Sequence, residues 1–175
     1  MKNLLVSALV LGSLAACDSY TAQQYQTNPQ NTIALQNVAA QGKRASVVPV
    51  TLAEGVDGTP TCRLAGPLDL GGKDAAAVIQ QALQAELLAA GVYSQDGTPL
   101  TVTVTELTPD SFTGDWTIAL HIASSKGAFN VVQVNEFSTS FSGAAACNNT
   151  AMAFNRALSA TILAIVQHPQ FSAIL

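Results

Sequence analysis

The chain has 175 residues, of which 49% are hydrophobic and 10% are charged, and its formal net charge is -4. Such a mildly acidic, sparsely charged chain is poorly suited to bind nucleic acid or an anionic headgroup, because both are recognised by clustered Lys and Arg. The length accommodates one domain with a short flanking segment.

The N-terminus has the features of a secretory signal. Lys2 precedes an apolar run over residues 4–14, and the small residues Ala15 and Ala16 follow. Cys17 comes directly after them, and the segment resembles the bacterial lipoprotein signal. The resemblance implies cleavage before Cys17, a diacylglyceryl thioether on its sulfur and usually a third acyl chain on its amino group. Two or three acyl chains hold a protein on a membrane almost permanently.

Two alternatives compete with this interpretation of residues 1–16 as a lipoprotein signal peptide. An ordinary signal peptide would carry Cys17 at the cleavage site by chance, and a transmembrane helix would need roughly 20 apolar residues. Asp18 follows the cysteine, and in enteric bacteria the resemblance makes aspartate there a signal for the inner membrane. We expect a lipoprotein that faces the periplasm of a Gram-negative bacterium, with Asp18 favouring the inner membrane where the enteric rule applies.

Residues 17–46 are predicted to be the lipidated cysteine and a flexible polar tether. Residues 18–32 contain no aliphatic side chain larger than alanine, so they cannot bury enough apolar surface to fold alone. Residues 33–40 favour a short helical turn or a segment that docks on the domain.

A single α+β periplasmic domain is expected over residues 47–175. It begins with a β-rich run over residues 47–52, which Pro49 restricts to a sheet edge or a strand end. The clearest helix comes next, because Asp74 can cap its first turn and Gly91 can end it. Its apolar face recurs every three to four residues and consists of Ile79, Ala82, Leu83, Leu87 and Ala90.

Three strands of a meander follow this helix. Aliphatic side chains alternate with threonines over residues 100–105, which predicts one buried and one polar face. Residues 116–123 alternate in the same way, and residues 124–127 form a hairpin turn. In the third strand, Val134 and Phe137 have opposite parity. The pattern therefore requires a bulge near residues 135–136 or a change of the covered face.

A second helix is predicted near the C-terminus. Asn149 or Thr150 can cap it, and Pro169 ends it. Its apolar stripe is Phe154, Leu158, Ile162, Ile165 and Val166. The predicted fold is α+β in the order β-α-β-β-β-α, a mostly antiparallel sheet of about four strands with two helices on one face.

Cys62 and Cys147 remain as a pair once Cys17 is assigned to the lipid. Disulfides persist in exported proteins, so we expect these two residues to be bonded. The alternative, a metal site, needs two further ligands, and His121 and His168 have no zinc-like spacing. We therefore expect no metal and no cofactor.

Residues from about 31 to 175 are similar to a family of uncharacterised small proteobacterial lipoproteins. The segments that carry this resemblance are Cys62-Arg63-Leu64, residues 82–87 with Gly91-Val92-Tyr93, Trp116-Thr117-Ile118, residues 124–127, residues 137–141, Ala146-Cys147 and residues 151–154. The element order also resembles the lipopolysaccharide-assembly lipoprotein and related accessory envelope lipoproteins, which serve as binding or assembly modules. Neither resemblance implies a catalytic residue.

Few residues offer enzyme chemistry. The sequence contains no G-x-S-x-G, no H-E-x-x-H and no glycine-rich phosphate loop. His121 is expected on the polar face of a strand, as a surface histidine rather than a functional one. His168 is expected in the last turn of a helix, where an imidazole favours the negative end of the helix dipole.

A group of acidic residues, Glu106, Asp110 and Asp115, surrounds the turn before Trp116. We interpret this group as part of a solvated loop, because the ligand spacing of a calcium loop is absent. The alternative is a calcium site or a catalytic site. Trp116 is expected in the core rather than as a platform for ligand stacking. Arg63 and Glu86 have opposite charges and could pair, although nothing in the sequence requires it.

The sequence thus favours a lipid-anchored envelope lipoprotein with a non-catalytic binding or assembly-accessory domain. The membrane is one expected partner, through the acyl chains on Cys17. The second is an envelope protein or a lipid-like molecule, bound through the open sheet face or the edge strand over residues 47–52. The alternative is an envelope enzyme with an unrecognised site.

Overall fold

The structure is a computed structural model that describes residues 20–63, 66–71 and 74–175. The predicted signal peptide, Cys17 and Asp18 lie outside these residues. The elements in chain order are β1 (Tyr20–Thr21), α1 (Pro29–Ala40), β2 (Ala45–Val47), β3 (Thr51–Leu52), β4 (Leu68–Asp69), α2 (Ala75–Ala89), β5 (Thr98–Asp110), β6 (Asp115–Ser124), β7 (Gly127–Glu136) and α3 (Gly143–Gln167). Among the described helices, none has both the length and the apolarity needed to span a bilayer.

The main sheet consists of three long antiparallel strands and two short parallel ones. β5 pairs with β6 and β6 with β7, as the predicted meander requires. β2 and β3 both pair with β5 in the parallel direction, on the side away from β6. In the described part of the chain this sheet is therefore mixed and has five strands, whereas the sequence predicted a mostly antiparallel sheet of about four strands. Pro49 separates β2 from β3, so residues 47–52 lie at a sheet edge as expected.

A bulge in β5 changes which side chains of that strand face the core. The register with β6 shifts just after Val104. The buried positions are even-numbered up to Val104 and continue at the odd-numbered Leu107. The register between β6 and β7 runs without a shift to Glu136, so no bulge lies near residues 135–136. The change of parity at Phe137 arises because β7 ends at the preceding residue.

Within residues 20–175 as the structure describes them, three helices form the layer over the sheet, where the sequence predicted two. α3 packs against β6 and β7, α2 packs against β2, and α1 lies against both α2 and α3. The Asp74 carboxylate accepts the Ala77 N–H at 2.8 Å at the start of α2, which confirms the predicted cap. The predicted apolar stripes of α2 and α3 are buried.

The start of α3 differs from the prediction. The helix begins at Gly143, about two turns before Asn149 and Thr150. Thr150 is buried and its hydroxyl donates to the Ala146 carbonyl at 2.8 Å, so it lies within the helix rather than at its end. Three consecutive alanines, strong helix formers, extend the helix towards its N-terminus.

The segment predicted as a tether is part of the folded domain from Tyr20 onwards. β1 forms a two-stranded parallel sheet with β4, and the Ala22 N–H donates to the Asp69 carbonyl at 2.7 Å. In sequence, residues 18 and 19 alone therefore separate the predicted lipid site, Cys17, from the first described strand.

α1, which is the helix additional to the two predicted ones, lies within the same segment. Asn28 caps it by accepting the Gln30 N–H at 2.9 Å, and Pro29 occupies the first helical position, where its missing N–H costs nothing. Leu35 and Val38 are buried against the rest of the domain. The helical turn expected over residues 33–40 is thus the second half of a full helix.

A disulfide joins the loop before β4 to α3. Cys62 and Cys147 are bonded, as predicted, with a Cα–Cα distance of 5.5 Å. Both side chains are buried. The bond fixes the turn that follows Cys62 to the first turns of α3.

We expect the double variant Cys62→Ala/Cys147→Ala to be less stable than the wild type. The bond closes a loop of 85 residues, for which the chain-entropy model gives an upper value of roughly 4.5 kcal/mol. Urea unfolding measures the difference. As the control, a reductant should lower the wild type to the level of the double variant and leave that variant unchanged. Equal stability of the oxidised wild type and the double variant would contradict a stabilising bond.

Candidate functional site: an aromatic tip and an open sheet face

Arg63 organises one end of the molecule. Its Nη2 donates to the carbonyl oxygens of Ser111, at 2.7 Å, and Ser140, at 3.0 Å, and its Nε donates to the Ser111 hydroxyl at 3.2 Å. Arg63 has a φ of +48°, a left-handed conformation that disfavours a residue with a side chain. These hydrogen bonds, together with the neighbouring disulfide, hold it there and tie the β5–β6 hairpin to the loop before α3.

Two phenylalanines project from the segments that Arg63 joins. Phe112 is on the β5–β6 hairpin and Phe141 is just before α3, and their exposures relative to an isolated residue are 71% and 109%. The guanidinium carbon of Arg63 lies 4.4 Å from the centre of the Phe112 ring. With Thr139 and Ser140 these residues line an open pocket of about 490 Å³. We call Arg63, Phe112 and Phe141 the aromatic tip.

The hairpin that carries Phe112 is held by its own turn. The Asp110 carboxylate accepts the backbone N–H groups of Thr113 and Phe112, and these bonds hold the pKa of Asp110 below its ordinary value. Gly114 has a φ of +88°, and a Cβ there would collide with the Phe137 carbonyl oxygen. The hairpin tip is thus a fixed platform for Phe112.

The face of the main sheet opposite the helices is the second candidate surface. It carries threonines, alanines and His121, and the exposed valines of β7. Val132 and Val134 are 59% and 61% exposed. β7 lies at the end of the strand order, and no other strand pairs with its outer edge among the described residues. An uncovered face beside an unpaired ten-residue edge is a surface on which another chain can bind.

A buried polar cluster lies where the three helices meet. The Oε1 atom of Glu86 accepts the Tyr25 hydroxyl at 2.6 Å, the Asn28 N–H at 2.9 Å and the Asn31 side-chain amide at 3.0 Å. Asn28 and Asn31 also donate to Ser159 on α3. Glu86 is only 1% exposed, so these donors replace the water that its carboxylate loses on folding. The cluster joins α1 to α2 and α3.

Two other oxygen atoms of this cluster differ from Glu86 Oε1 in their hydrogen bonding. Glu86 Oε2 and Asn31 Oδ1 are buried and have no hydrogen-bond donor among the described residues. The donors therefore converge on one oxygen of the carboxylate. Burial, and the hydrogen bond to the Glu86 carboxylate with its charge, raise the pKa of Tyr25 well above its ordinary value.

The residues that the sequence offered for possible chemistry lie in different parts of the domain and do not form one site. His121 Nδ1 lies 2.7 Å from Asn130 Oδ1 on the open face. His168 ends α3 and stacks on Phe129 at 4.1 Å between ring centres. Arg63 and Glu86 do not pair, because each is bonded to other groups. In the described residues, no three His, Cys, Asp or Glu side chains form a group that could hold a metal.

Trp116 lies in the core, as expected, and its indole N–H donates to the Thr150 carbonyl at 2.9 Å. The cavity between the helices and the sheet is small. It holds about 20 Å³ and is lined by apolar surface from the sheet, the helices and Phe171. That volume accommodates about one water molecule, and it is too small for a lipid-like ligand in this conformation.

Sequence reasoning missed the Glu86 cluster and the exposure of the tip phenylalanines. The Asn28-Pro29 pair is a recognisable helix start, and it could have revealed α1. Nothing local to Tyr25 or Glu86 indicates that they meet, because 61 residues separate them.

Comparisons with known proteins identify the fold alone. No family model and no curated protein matches the chain. The crystal structure of protein XCC0632 from Xanthomonas campestris, described as a DUF330 protein, is similar with a TM-score of 0.54 and 14% identity, covering 89% of this chain and 94% of that chain. The structure of an uncharacterized protein gives a TM-score of 0.42 and 10% identity, covering 83% and 99%.

We expect Tyr25→Phe to destabilise the protein by about 1–2 kcal/mol at neutral pH, because the Glu86 carboxylate loses one donor. The difference in unfolding free energy between the wild type and Tyr25→Phe should depend on pH. Since the folded state raises the pKa of Tyr25, the wild type keeps its full advantage below the ordinary value of about 10 and loses it as the pH rises further. Urea unfolding at a series of pH values measures this.

The control is Tyr93→Phe, whose hydroxyl has no hydrogen-bond partner among the described residues. It should change stability at neutral pH less than Tyr25→Phe does. A Tyr25→Phe difference that stays constant well above pH 10 would contradict a hydroxyl held neutral by Glu86.

Proposed function

We propose that this protein is a lipid-anchored lipoprotein of the bacterial cell envelope and that its domain is a non-catalytic binding module. The anchor is supported by Cys17, which follows Ala15 and Ala16 at the end of an apolar run. The binding role rests mainly on one observation, the open face of the main sheet beside the unpaired edge of β7.

The partner of this face is proposed to be a protein of the envelope. An unpaired strand edge offers backbone N–H and C=O groups, which an extended segment of another chain can pair with. The valines beside that edge add apolar area, and the threonines add neutral polar contacts. The core cavity leaves no room for a lipid-like ligand, which favours a partner on the surface. The enzyme alternative has no observation in its favour among the described residues.

The anchor is tested by metabolic labelling. The wild type should incorporate a palmitate analogue and partition into detergent, because acyl chains on Cys17 hold it in the membrane. Cys17→Ser removes the thioether and should abolish both. A wild type that is unlabelled and freely soluble would contradict the anchor.

The binding face is tested by photo-crosslinking in cells. A photoreactive residue at Val134 should give a crosslinked species of discrete mass, identified by mass spectrometry as an envelope protein. Leu88 is the matched control, since it is an apolar residue of almost the same exposure, 60% against 61%, on α2. Identical adducts from both positions, or none from Val134, would contradict a partner on the open face.

A further inference from the structure

The direction of β1 shows at which end of the domain the described chain begins. β1 and β4 are parallel, with Tyr20 opposite Leu68. The Tyr20 end of β1 therefore lies beside the Leu68 end of β4. Leu68 directly follows the turn containing Arg63, which is closed by the bridge between Thr61 and Pro67.

Contacts between the N-terminal segment and α3 independently indicate the same direction for that segment. Asn155 donates to the Gln23 carbonyl and Asn28 donates to Ser159 at 2.9 Å. Further along, Lys43 donates to the carbonyl of Leu175, beyond the end of the helix. The N-terminal segment thus runs alongside α3 in the same sense, and its upstream end leads towards the start of α3. Phe141 lies two residues before that start.

The described chain therefore begins, at Tyr20, at the same end of the molecule as the aromatic tip. Cys17 and Tyr20 are three residues apart, so their Cα atoms are separated by at most about 11 Å. A polar headgroup layer is only about 5–8 Å thick on each side of a bilayer. An acylated Cys17 would hold this end of the domain at the membrane surface.

We propose that the aromatic tip is the surface through which the domain rests on the membrane that holds its own anchor. This proposal depends on the proposed acylation of Cys17. Phe112 and Phe141 insert among the headgroups, where aromatic side chains gain apolar contact, and the Arg63 guanidinium faces the lipid phosphates. Its Nη1 has no acceptor among the described residues, whereas Nε and Nη2 are used within the protein.

The charge at this end determines the kind of membrane surface that fits. Asp110 and Asp115 flank the hairpin turn, and Asp115 accepts the Thr113 hydroxyl at 2.6 Å. The tip thus combines one cation with two neighbouring carboxylates and has no excess of positive charge. We therefore expect contact with zwitterionic lipid, driven by the two phenylalanines and little affected by salt.

The test places a tryptophan at each exposed phenylalanine of the full-length protein. The acylated protein is purified from membranes, its lipid is verified by mass spectrometry, and it is reconstituted into phosphatidylcholine vesicles with chains brominated near the headgroup. Phe112→Trp and Phe141→Trp should lose most of their added fluorescence, and the loss should persist at high salt. The native Trp116 is fully buried, and the wild type supplies its background.

Leu88→Trp is the matched control. Leu88 is exposed near the end of α2, close to the start of β5, whereas Phe112 follows the end of β5. β5 has 13 residues, which span about 40 Å at the usual rise per residue. The control tryptophan should keep its fluorescence in brominated vesicles.

The outcomes separate this proposal from the proposed function. Acylated protein with bromine quenching at both tip positions and none at Leu88 supports the proposal. Acylated protein in which the tip tryptophans are not quenched overturns the tip contact and leaves the anchor intact. Absence of the acyl chains overturns the anchor and the tip contact together. Correct folding of each variant is verified by a wild-type melting temperature and an intact disulfide.

Discussion

The hydrogen bonds to Glu86 are the interaction on which the arrangement of the domain depends. Three donors from the N-terminal segment converge on one carboxylate oxygen of α2, and Asn28 and Asn31 extend the contact to α3. Burying a carboxylate without hydrogen-bond donors costs free energy of desolvation. The hydrogen bonds to Glu86 therefore offset this cost more than they add net stability. The carboxylate also lies at the start of α1, where the helix dipole favours negative charge.

This junction determines how the N-terminus is used. Without it, residues 20–40 would dock mainly through the apolar side chains that they bury, among them Leu35 and Val38, and Glu86 would be left without its donors. With it, α1 becomes the third helix and β1 can pair with β4. The domain therefore begins close to Cys17. A long tether would let the domain move freely above a membrane, whereas the two residues between Tyr20 and the proposed lipid site at Cys17 would restrict both its distance and its orientation.

The elements that the sequence predicted well are those with a strong local pattern. The α2 cap at Asp74, the alternation in β5 and β6 and the hairpin over residues 124–127 depend on near neighbours. The disulfide followed from having only two cysteines besides Cys17. The elements that were missed depend on distant partners. Residues 18–32 lack an apolar pattern, and the docking of the described part, residues 20–32, depends on hydrogen bonds to Glu86 and Ser159. The parallel strands β2 and β3 are too short to show any periodicity.

The two candidate surfaces occupy different parts of the domain. The aromatic tip occupies one end of the long strands, and the open face extends along their length. If the tip rests on a membrane as proposed, the β7 edge, which leads away from the tip, would stay accessible to the proposed partner. A partner anchored in the same membrane could then meet this edge without the domain having to reorient.

The long sequence separation between the N-terminal segment and α3 also has a consequence for the order of folding. Asn28 and Ser159 are 131 residues apart, and Lys43 and Leu175 are 132 apart. A chain that emerges from its N-terminus exposes residues 20–40 long before their partners on α3 exist, and contacts of such separation form slowly. Residues 20–40 thus lack their partners on α3 at first, and they can dock fully only when the last helix has been made.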